Sequence, residues 1–103
     1  MSASGIVSVY AVFASDEEAR RIGRAMIEQR LAACVNIIGR CHSIYRWEGK
    51  TEQADEVAAI FKTAAAQADA LIAAIAVTLM WFIGAPPRQA EIVATAAVSP
   101  VFP

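Results

Sequence analysis

Side chains with metal-binding chemistry lie close together in the middle of the chain. Both cysteines and the single histidine fall within one short stretch, at Cys34, Cys41 and His42, and thiolates and imidazoles are ligands for zinc and copper. In an extended strand Cys34 and Cys41 point to opposite faces, and Cys34 lies roughly 26 Å from His42 at ~3.3 Å per residue. Cys41 and His42 are neighbours and also point to opposite faces. The spacing, which matches none of the usual zinc motifs, argues against a preformed site within one chain. Only an oligomer axis would bring copies of these residues together.

Two other groups of side chains near this stretch have candidate binding roles. Glu48, Glu52 and Glu56 form an acidic edge that would attract hard cations weakly, although such an edge is more often a solvated surface. Tyr45 and Trp47 share one strand face, where they would line a ligand cleft or, as we favour, stabilise a strand pair. The sequence places no nucleophile beside a base and no glycine-rich loop for a phosphate, so we predict no enzymatic activity and no catalytic residues.

Composition limits the class of protein. The chain has 103 residues, 57% of them hydrophobic and 18% charged, which indicates one globular domain, residues 1–103, with part of its apolar surface buried in an oligomer. The net charge is −1 and the nine basic residues are scattered, so nucleic acid is not an expected partner. The residues after Met1 lack a signal-peptide pattern and the two cysteines do not suggest a disulfide framework, so we expect a cytoplasmic location.

The elements that would position these residues begin with a strand and a helix. Gly5 to Phe13 is rich in β-branched and aromatic residues and apolar at almost every position, which predicts a central strand covered on both faces. Ser15 to Glu18 matches a capping box, and a helix from about Asp16 to Leu31 follows. Its apolar stripe has the helical spacing and consists of Ala19, Ile22, Gly23, Met26 and Ile27.

The two cysteines and the histidine belong to a predicted hairpin. Residues 33–47 and 51–63 are extended segments, and Glu48-Gly49 between them suits a two-residue hairpin turn. Gly39 would mark a bulge in the first segment. The hairpin therefore presents Cys41 and His42 on a long strand.

The remaining sequence predicts a second helix and a last strand. Residues 64–83 read as a helix that Gly84-Ala85-Pro86-Pro87 stops, and residues 91–98 read as a strand. The order is then strand, helix, strand, strand, helix, strand. This order predicts an α+β fold, the ferredoxin-like β-α-β-β-α-β pattern with a four-stranded antiparallel sheet and two helices on one face.

Residues 63–103 hold only three of the nineteen charged side chains. Ala70 to Pro87 carries no charge, but its helical part spans about 21 Å, short of the roughly 30 Å of a bilayer core. A membrane span is therefore not expected. As a second helix of the fold, this segment has an inward stripe of Leu71, Ile72, Ile75, Leu79 and Phe82. Met80 and Trp81 are left over from this stripe and would cover a hairpin end or contact a protein partner.

Three blocks of the chain resemble the CutA divalent-cation tolerance proteins. They are SDEEARRIGRAMIEQRLAACVNI (residues 15–37), SIYRWEGKTEQADEV (residues 43–57) and FKT (residues 61–63). The resemblance implies a ferredoxin-like domain in a tight homotrimer whose long hairpin strands pair across subunits. It also implies a link to tolerance of copper and other divalent cations, without a catalytic reaction.

The chain departs from the family pattern at its usual metal ligands. Where the family has H-P-Y-x-x-P-E-I, this chain has residues 85–92, A-P-P-R-Q-A-E-I, without the histidine and tyrosine. A cysteine that some members have in the first strand aligns with Val12. Glu91 is the one candidate ligand that the resemblance transfers, beside His42 and Cys41 from the hairpin.

Two functional hypotheses follow from these observations. The first is a trimeric, non-enzymatic protein of the CutA type that binds copper or another divalent cation weakly, through surface carboxylates, His42 or Cys41. The alternative is a trimeric signalling or scaffold module similar in architecture to the P-II regulatory proteins, with a ligand or protein partner in the clefts between subunits. No resident cofactor is predicted in either case.

Overall fold

A computed structural model describes residues 5–79 and 98–100 of the chain. Its elements are β1 (Ile6–Phe13), α1 (Asp16–Glu28), β2 (Cys34–Trp47), β3 (Lys50–Ala64), a 3₁₀ turn (Ala65–Gln67), α2 (Ala68–Val77) and β4 (Val98–Pro100). The strands form one sheet in the order β2-β3-β1-β4, and all neighbouring strands are antiparallel. The predicted ferredoxin-like pattern is confirmed, with β1 inside the sheet.

The core lies between the sheet and the two helices. Phe13 of β1 and Phe61 of β3 are fully buried, and their rings meet edge to face with centroids 6.3 Å apart. The helices add further buried side chains to the same cluster, namely Ala19, Ile22 and Met26 from α1 and Leu71 and Ile75 from α2. Burial of such large side chains contributes about 1.5–3 kcal/mol each. This core fixes the sheet that carries the hairpin.

The prediction that β1 is covered on both faces along its length is wrong within the chain. Val9 and Phe13 are buried, but Ile6 and Tyr10 are 51% and 44% exposed. The two exposed residues point away from the helices because side chains alternate along a strand. They leave an apolar surface on the face of the sheet opposite the helices.

The start of α1 has the predicted cap. The Ser15 hydroxyl accepts a hydrogen bond from the backbone N–H of Glu18 at 3.1 Å, and the Glu18 carboxylate accepts one from the N–H of Ala14 at 3.0 Å. The helix ends at Glu28 rather than at Leu31. Arg30 has a positive φ of 62°, and the N–H of Leu31 donates back to the Met26 carbonyl at 2.9 Å. This reversal stops the helix and directs the chain into β2.

Gly23 permits a close approach between α1 and β2. A Cβ atom at Gly23 would lie 3.1 Å from Cγ1 of Val35. A methyl group at this position would crowd the strand, so glycine sets the distance between the helix and the sheet.

The β2–β3 hairpin is longer than the rest of the sheet. Its turn has positive φ at Glu48 (50°) and Gly49 (77°), as a type I′ turn requires. The predicted bulge is present, because the register shifts between Ile37 and Gly39. Strand β1 ends at Phe13, opposite Val57, so residues 41–56 extend beyond it as a two-stranded ribbon. We call residues 41–56 the hairpin arm.

The second helix begins later than predicted. Residue 64 still belongs to β3, and a 3₁₀ turn precedes Ala68. Leu71, Ile75 and Leu79 are buried as the stripe predicted. Within residues 5–79, no helix is long and apolar enough to cross a membrane.

Some predictions fall on residues outside the described ranges. Met80, Trp81 and Glu91 are among them. The last strand was predicted over residues 91–98, and the described strand, Val98–Pro100, pairs with β1 from Val9↔Val98 to Val7↔Pro100. The prediction and the described strand thus share Val98, and the strand continues two residues further.

Candidate functional site

The hairpin arm separates the two central candidate ligands. Cys41 pairs with Glu56 and His42 pairs with Asp55, so the two candidates lie on opposite faces of the arm, as strand alternation predicts. Asp55 shares a face with the core residue Val57, which places His42 on the helix side of the sheet and Cys41 on the opposite side. One ion cannot bind both side chains of a single chain.

His42 contacts two side chains of the facing strand. Its Nδ1 lies 2.8 Å from Oδ1 of Asp55, and its Nε2 lies 2.7 Å from Oε1 of Gln53. The imidazole and carboxylate side chains are 53% and 83% exposed. Both partners present oxygen acceptors, so in this arrangement a protonated imidazole donates two hydrogen bonds. The imidazole of β2 thus contacts two side chains of β3 at once.

The contacts shift the ionisation of both charged residues. The hydrogen bond to Asp55 raises the pKa of His42 above its ordinary value, and the bond to Gln53 adds to the effect. The same hydrogen bond lowers the pKa of Asp55, and the positive charge of the imidazolium lowers it further. Each partner therefore favours the charged form of the other.

Asp55 and Gln53 were missed by reasoning from the sequence. Both are ordinary polar residues of a strand, and neither belongs to a recognisable ligand motif. The signal was the Glu48-Gly49 turn, because a two-residue loop makes Trp47 and Lys50 partners and thereby sets His42 opposite Asp55. Counting the register back from the turn would have found the pair.

Cys41 has a different environment. It is a free, half-buried thiol, and its sulfur lies 3.9 Å from the Ser43 hydroxyl. Tyr10 faces the same region, where burial raises the pKa of its hydroxyl and Cys41 and Glu56 add to the shift. The surroundings of Cys41 are therefore those of a packed strand residue, beside a phenol and a carboxylate.

The predicted solvated acidic edge is wrong at one residue. Glu56 is buried, with 3% of its surface exposed, although it lies opposite Cys41 on the face of the sheet away from the helices. Glu52 is half-buried, and its carboxylate accepts a hydrogen bond from Tyr45 across the strands at 3.5 Å. This contact supports the stabilising role predicted for Tyr45. The carboxylates do not form one exposed cluster.

Cys34 is remote from the arm. It pairs with Lys62 near the other end of the hairpin, and its thiol donates to the Asn36 side-chain oxygen at 3.9 Å. It is half-buried. Across residues 5–79, no three side chains of His, Cys, Asp or Glu come together in a way that would hold a metal ion. Glu91 is outside the described residues.

Two hollows adjoin the base of the arm. One, of about 230 Å³, lies between the start of α1 and the arm, and its lining includes Ser15, Asp16, Arg40 and Asp55. The other, also about 230 Å³, is formed by Arg40, Cys41, His42 and Asp55. Both contain opposite charges, and the second gives solvent access to the His42–Asp55 pair.

Comparison with known proteins assigns the family. The sequence profile of the CutA1 divalent ion tolerance protein matches residues 7–82. The chain belongs to this family, as the motifs in residues 15–63 predicted.

Relatives and solved structures agree with this assignment. The chain is 45% identical over 75 residues to the mouse Protein CutA, covering 68% of this chain and 42% of that protein. It is 49% identical over 49 residues to the Divalent-cation tolerance protein CutA of Thermus thermophilus, covering 48% of each. The alignments thus span less than half of these relatives.

The solved structures extend the likeness to the whole fold. CutA1 from Oryza sativa superposes with a TM-score of 0.71 at 28% identity, covering 99% of this chain and 85% of that one. The periplasmic divalent cation tolerance protein CutA of Archaeoglobus fulgidus gives a TM-score of 0.69 at 31% identity, covering 95% and 83%. The fold of this chain is that of the CutA structures.

Proposed function

We propose that this protein is a non-enzymatic divalent-cation tolerance protein that acts as a homotrimer in the cytoplasm and binds divalent ions weakly. The observation that carries the proposal is the family match over residues 7–82, together with relatives whose names state divalent-cation tolerance. The hairpin arm adds a chemical basis, because it presents an imidazole beside a carboxylate at the surface.

Assembly into a trimer is supported by the surface of the arm and its strand. Strand β2 is at the edge of the sheet, and Ile38 and Ile44 on it are 62% and 67% exposed. An edge strand with exposed isoleucines favours pairing with another chain. A neighbouring subunit would cover these side chains and account for the high apolar content of a small domain.

A role without catalysis is supported by the surroundings of His42. A general base needs a nucleophile within hydrogen-bond reach, and both ring nitrogens of His42 instead contact Asp55 and Gln53. The nearby hydroxyl of Ser43 contacts Cys41 on the other face. Both ring nitrogens of His42 are thus engaged by other side chains of the described arm.

Native mass spectrometry of the purified, chelator-free protein tests the proposal. We expect a trimer mass, with copper or zinc adducts that increase when either ion is added. A monomer would contradict the proposed assembly, and a trimer that takes up no ion would contradict the cation role. A trimer that instead retains a small organic ligand or another protein would favour the signalling or scaffold alternative.

A further inference from the structure

We propose that Nδ1 of His42 and the carboxylate of Asp55 form a cross-strand site for a borderline divalent transition-metal ion, with Gln53 as the residue that orients the imidazole. The inference rests on the proposed cation function and specifies where the ion binds. Asp55, and not the sequence neighbour Cys41, is the partner of His42 in this site, because Asp55 shares its face and Cys41 does not.

The distance between the two donor atoms suits a shared ion. Zinc-bound nitrogen and oxygen ligands lie about 2.0–2.2 Å from the metal, which places tetrahedral neighbours roughly 3.4 Å apart. Nδ1 of His42 and Oδ1 of Asp55 are already 2.8 Å apart. Rotation of two exposed side chains supplies the remaining few tenths of an ångström without a change in the backbone.

Gln53 favours the tautomer that leaves Nδ1 of His42 free to bind a metal. Its Oε1 accepts from Nε2 of His42 at 2.7 Å, so a neutral ring keeps its hydrogen on Nε2 and its lone pair on Nδ1. Nδ1 and the Asp55 carboxylate then face each other with lone pairs, and a cation is needed between them. Metal-binding histidines almost always donate their other N–H to an oxygen in this way.

The surroundings set the strength and type of the site. The hollow beside His42 and Asp55 has about 230 Å³ of space, enough for water molecules to complete the coordination. Arg40 lines the same hollow, and its positive charge opposes a cation. Two protein ligands and a nearby arginine therefore define a weak site. Imidazole and carboxylate donors bind Cu²⁺ more tightly than the other first-row divalent ions.

Isothermal titration calorimetry with Cu²⁺ and with Zn²⁺ tests the site on the full chain. In the Cu²⁺ titrations, the test substitutions are made in the Cys34→Ser/Cys41→Ser protein, which lacks thiols that would bind or reduce the ion. In the Zn²⁺ titrations, they are made in the wild-type protein. We expect His42→Ala and Asp55→Asn to weaken binding at least 10-fold in both backgrounds, and Gln53→Ala to weaken it about 10-fold. Asp69→Asn, an exposed carboxylate of α2, is the matched control and should bind as its parent does.

The outcomes separate this site from the wider cation role. Ion binding that is unchanged in His42→Ala and Asp55→Asn would overturn the site while the cation role stands. Binding lost in the thiol-free parent but present in wild type would assign the ion to cysteine and also overturn it. Wild-type protein that remains folded and takes up neither ion would contradict both proposals. Thermal unfolding of each variant verifies that its fold is intact.

Discussion

Nδ1 of His42 and Oδ1 of Asp55 lie 2.8 Å apart across the two strands of the hairpin arm. The pair is exposed, it is in direct register, and Gln53 holds the other ring nitrogen. An imidazole fixed between a carboxylate and an amide binds a proton or, by the proposal above, a divalent ion. The hairpin arm therefore carries the proposed ion site.

The His42–Asp55 contact predicts a pH-dependent contribution to stability in metal-free protein. The raised pKa of His42 gives a contribution that is complete below the unfolded-state pKa of imidazole and is lost as pH rises through the folded-state pKa. The lowered pKa of Asp55 gives a second contribution to stability, which is lost as pH falls through the folded-state pKa of Asp55. The pair should stabilise most in mildly acidic solution.

NMR and thermal unfolding measure this effect. The His42 resonances should titrate with a higher pKa in wild-type protein than in Asp55→Asn. The loss in Tm caused by Asp55→Asn should be larger at mildly acidic pH than at alkaline pH, whereas Asp69→Asn should show no such trend. Equal His42 pKa values in wild type and Asp55→Asn would contradict the contact.

Replacement of Gly23 by a larger residue should destabilise the fold. A Cβ atom added at Gly23 would lie 3.1 Å from Cγ1 of Val35. Gly23→Leu should therefore destabilise the fold by about 1–3 kcal/mol through overpacking. Arg24→Leu, at the exposed neighbouring position, should change stability by no more than about 0.5 kcal/mol. Chemical denaturation at one protein concentration gives both values. Equal effects would show that α1 and β2 are not in close contact.

Substitutions at the two residues of the hairpin turn should change the stability of the fold in opposite directions. Gly49 has φ 77°, so Gly49→Ala should cost about 1 kcal/mol. Glu48 has φ 50°, a conformation that asparagine tolerates better, so Glu48→Asn should stabilise by a few tenths of a kcal/mol or more. Thermal unfolding of the two variants checks the signs. A stabilising Gly49→Ala would contradict the type I′ turn.

A charged residue in place of Ile44 should disrupt assembly into a trimer. Ile44 is 67% exposed on an edge strand, and a charge there would prevent burial against another subunit. Ile44→Asp should therefore shift the protein from trimer to smaller species in sedimentation velocity, while circular dichroism still shows folded protein. Val77→Asp is the control, because Val77 is 47% exposed on α2. An unchanged trimer in Ile44→Asp would exclude this residue from the interface.

The sequence predicted the fold where a local pattern sets the structure. The Ser15–Glu18 cap, the bulge at Gly39 and the turn at Glu48-Gly49 each depend on residues within a few positions of one another. The end of α1 was missed because Arg30, with its positive φ, gives no sign of a helix stop as glycine would. The order of helices and strands predicted the ferredoxin-like sheet, and the resemblance to the CutA family implied the same fold.

The candidate site was only half predicted. His42 stood out as the single histidine, but Asp55 and Gln53 are brought to it by strand pairing and not by sequence proximity. Cys41, the neighbour in sequence, lies on the opposite face for the same reason. Glu56 was placed with the exposed acids although it is buried, because the sequence does not state which strand face is covered.

Electron paramagnetic resonance of the Cu²⁺-loaded Cys34→Ser/Cys41→Ser protein tests the central claim most directly. We predict coupling to one imidazole nitrogen that disappears in the additional His42→Ala variant, and a change in the copper spectrum in Asp55→Asn. A copper spectrum without imidazole coupling, or one that His42→Ala leaves unchanged, would contradict the account of the hairpin arm as the cation-binding part of this protein.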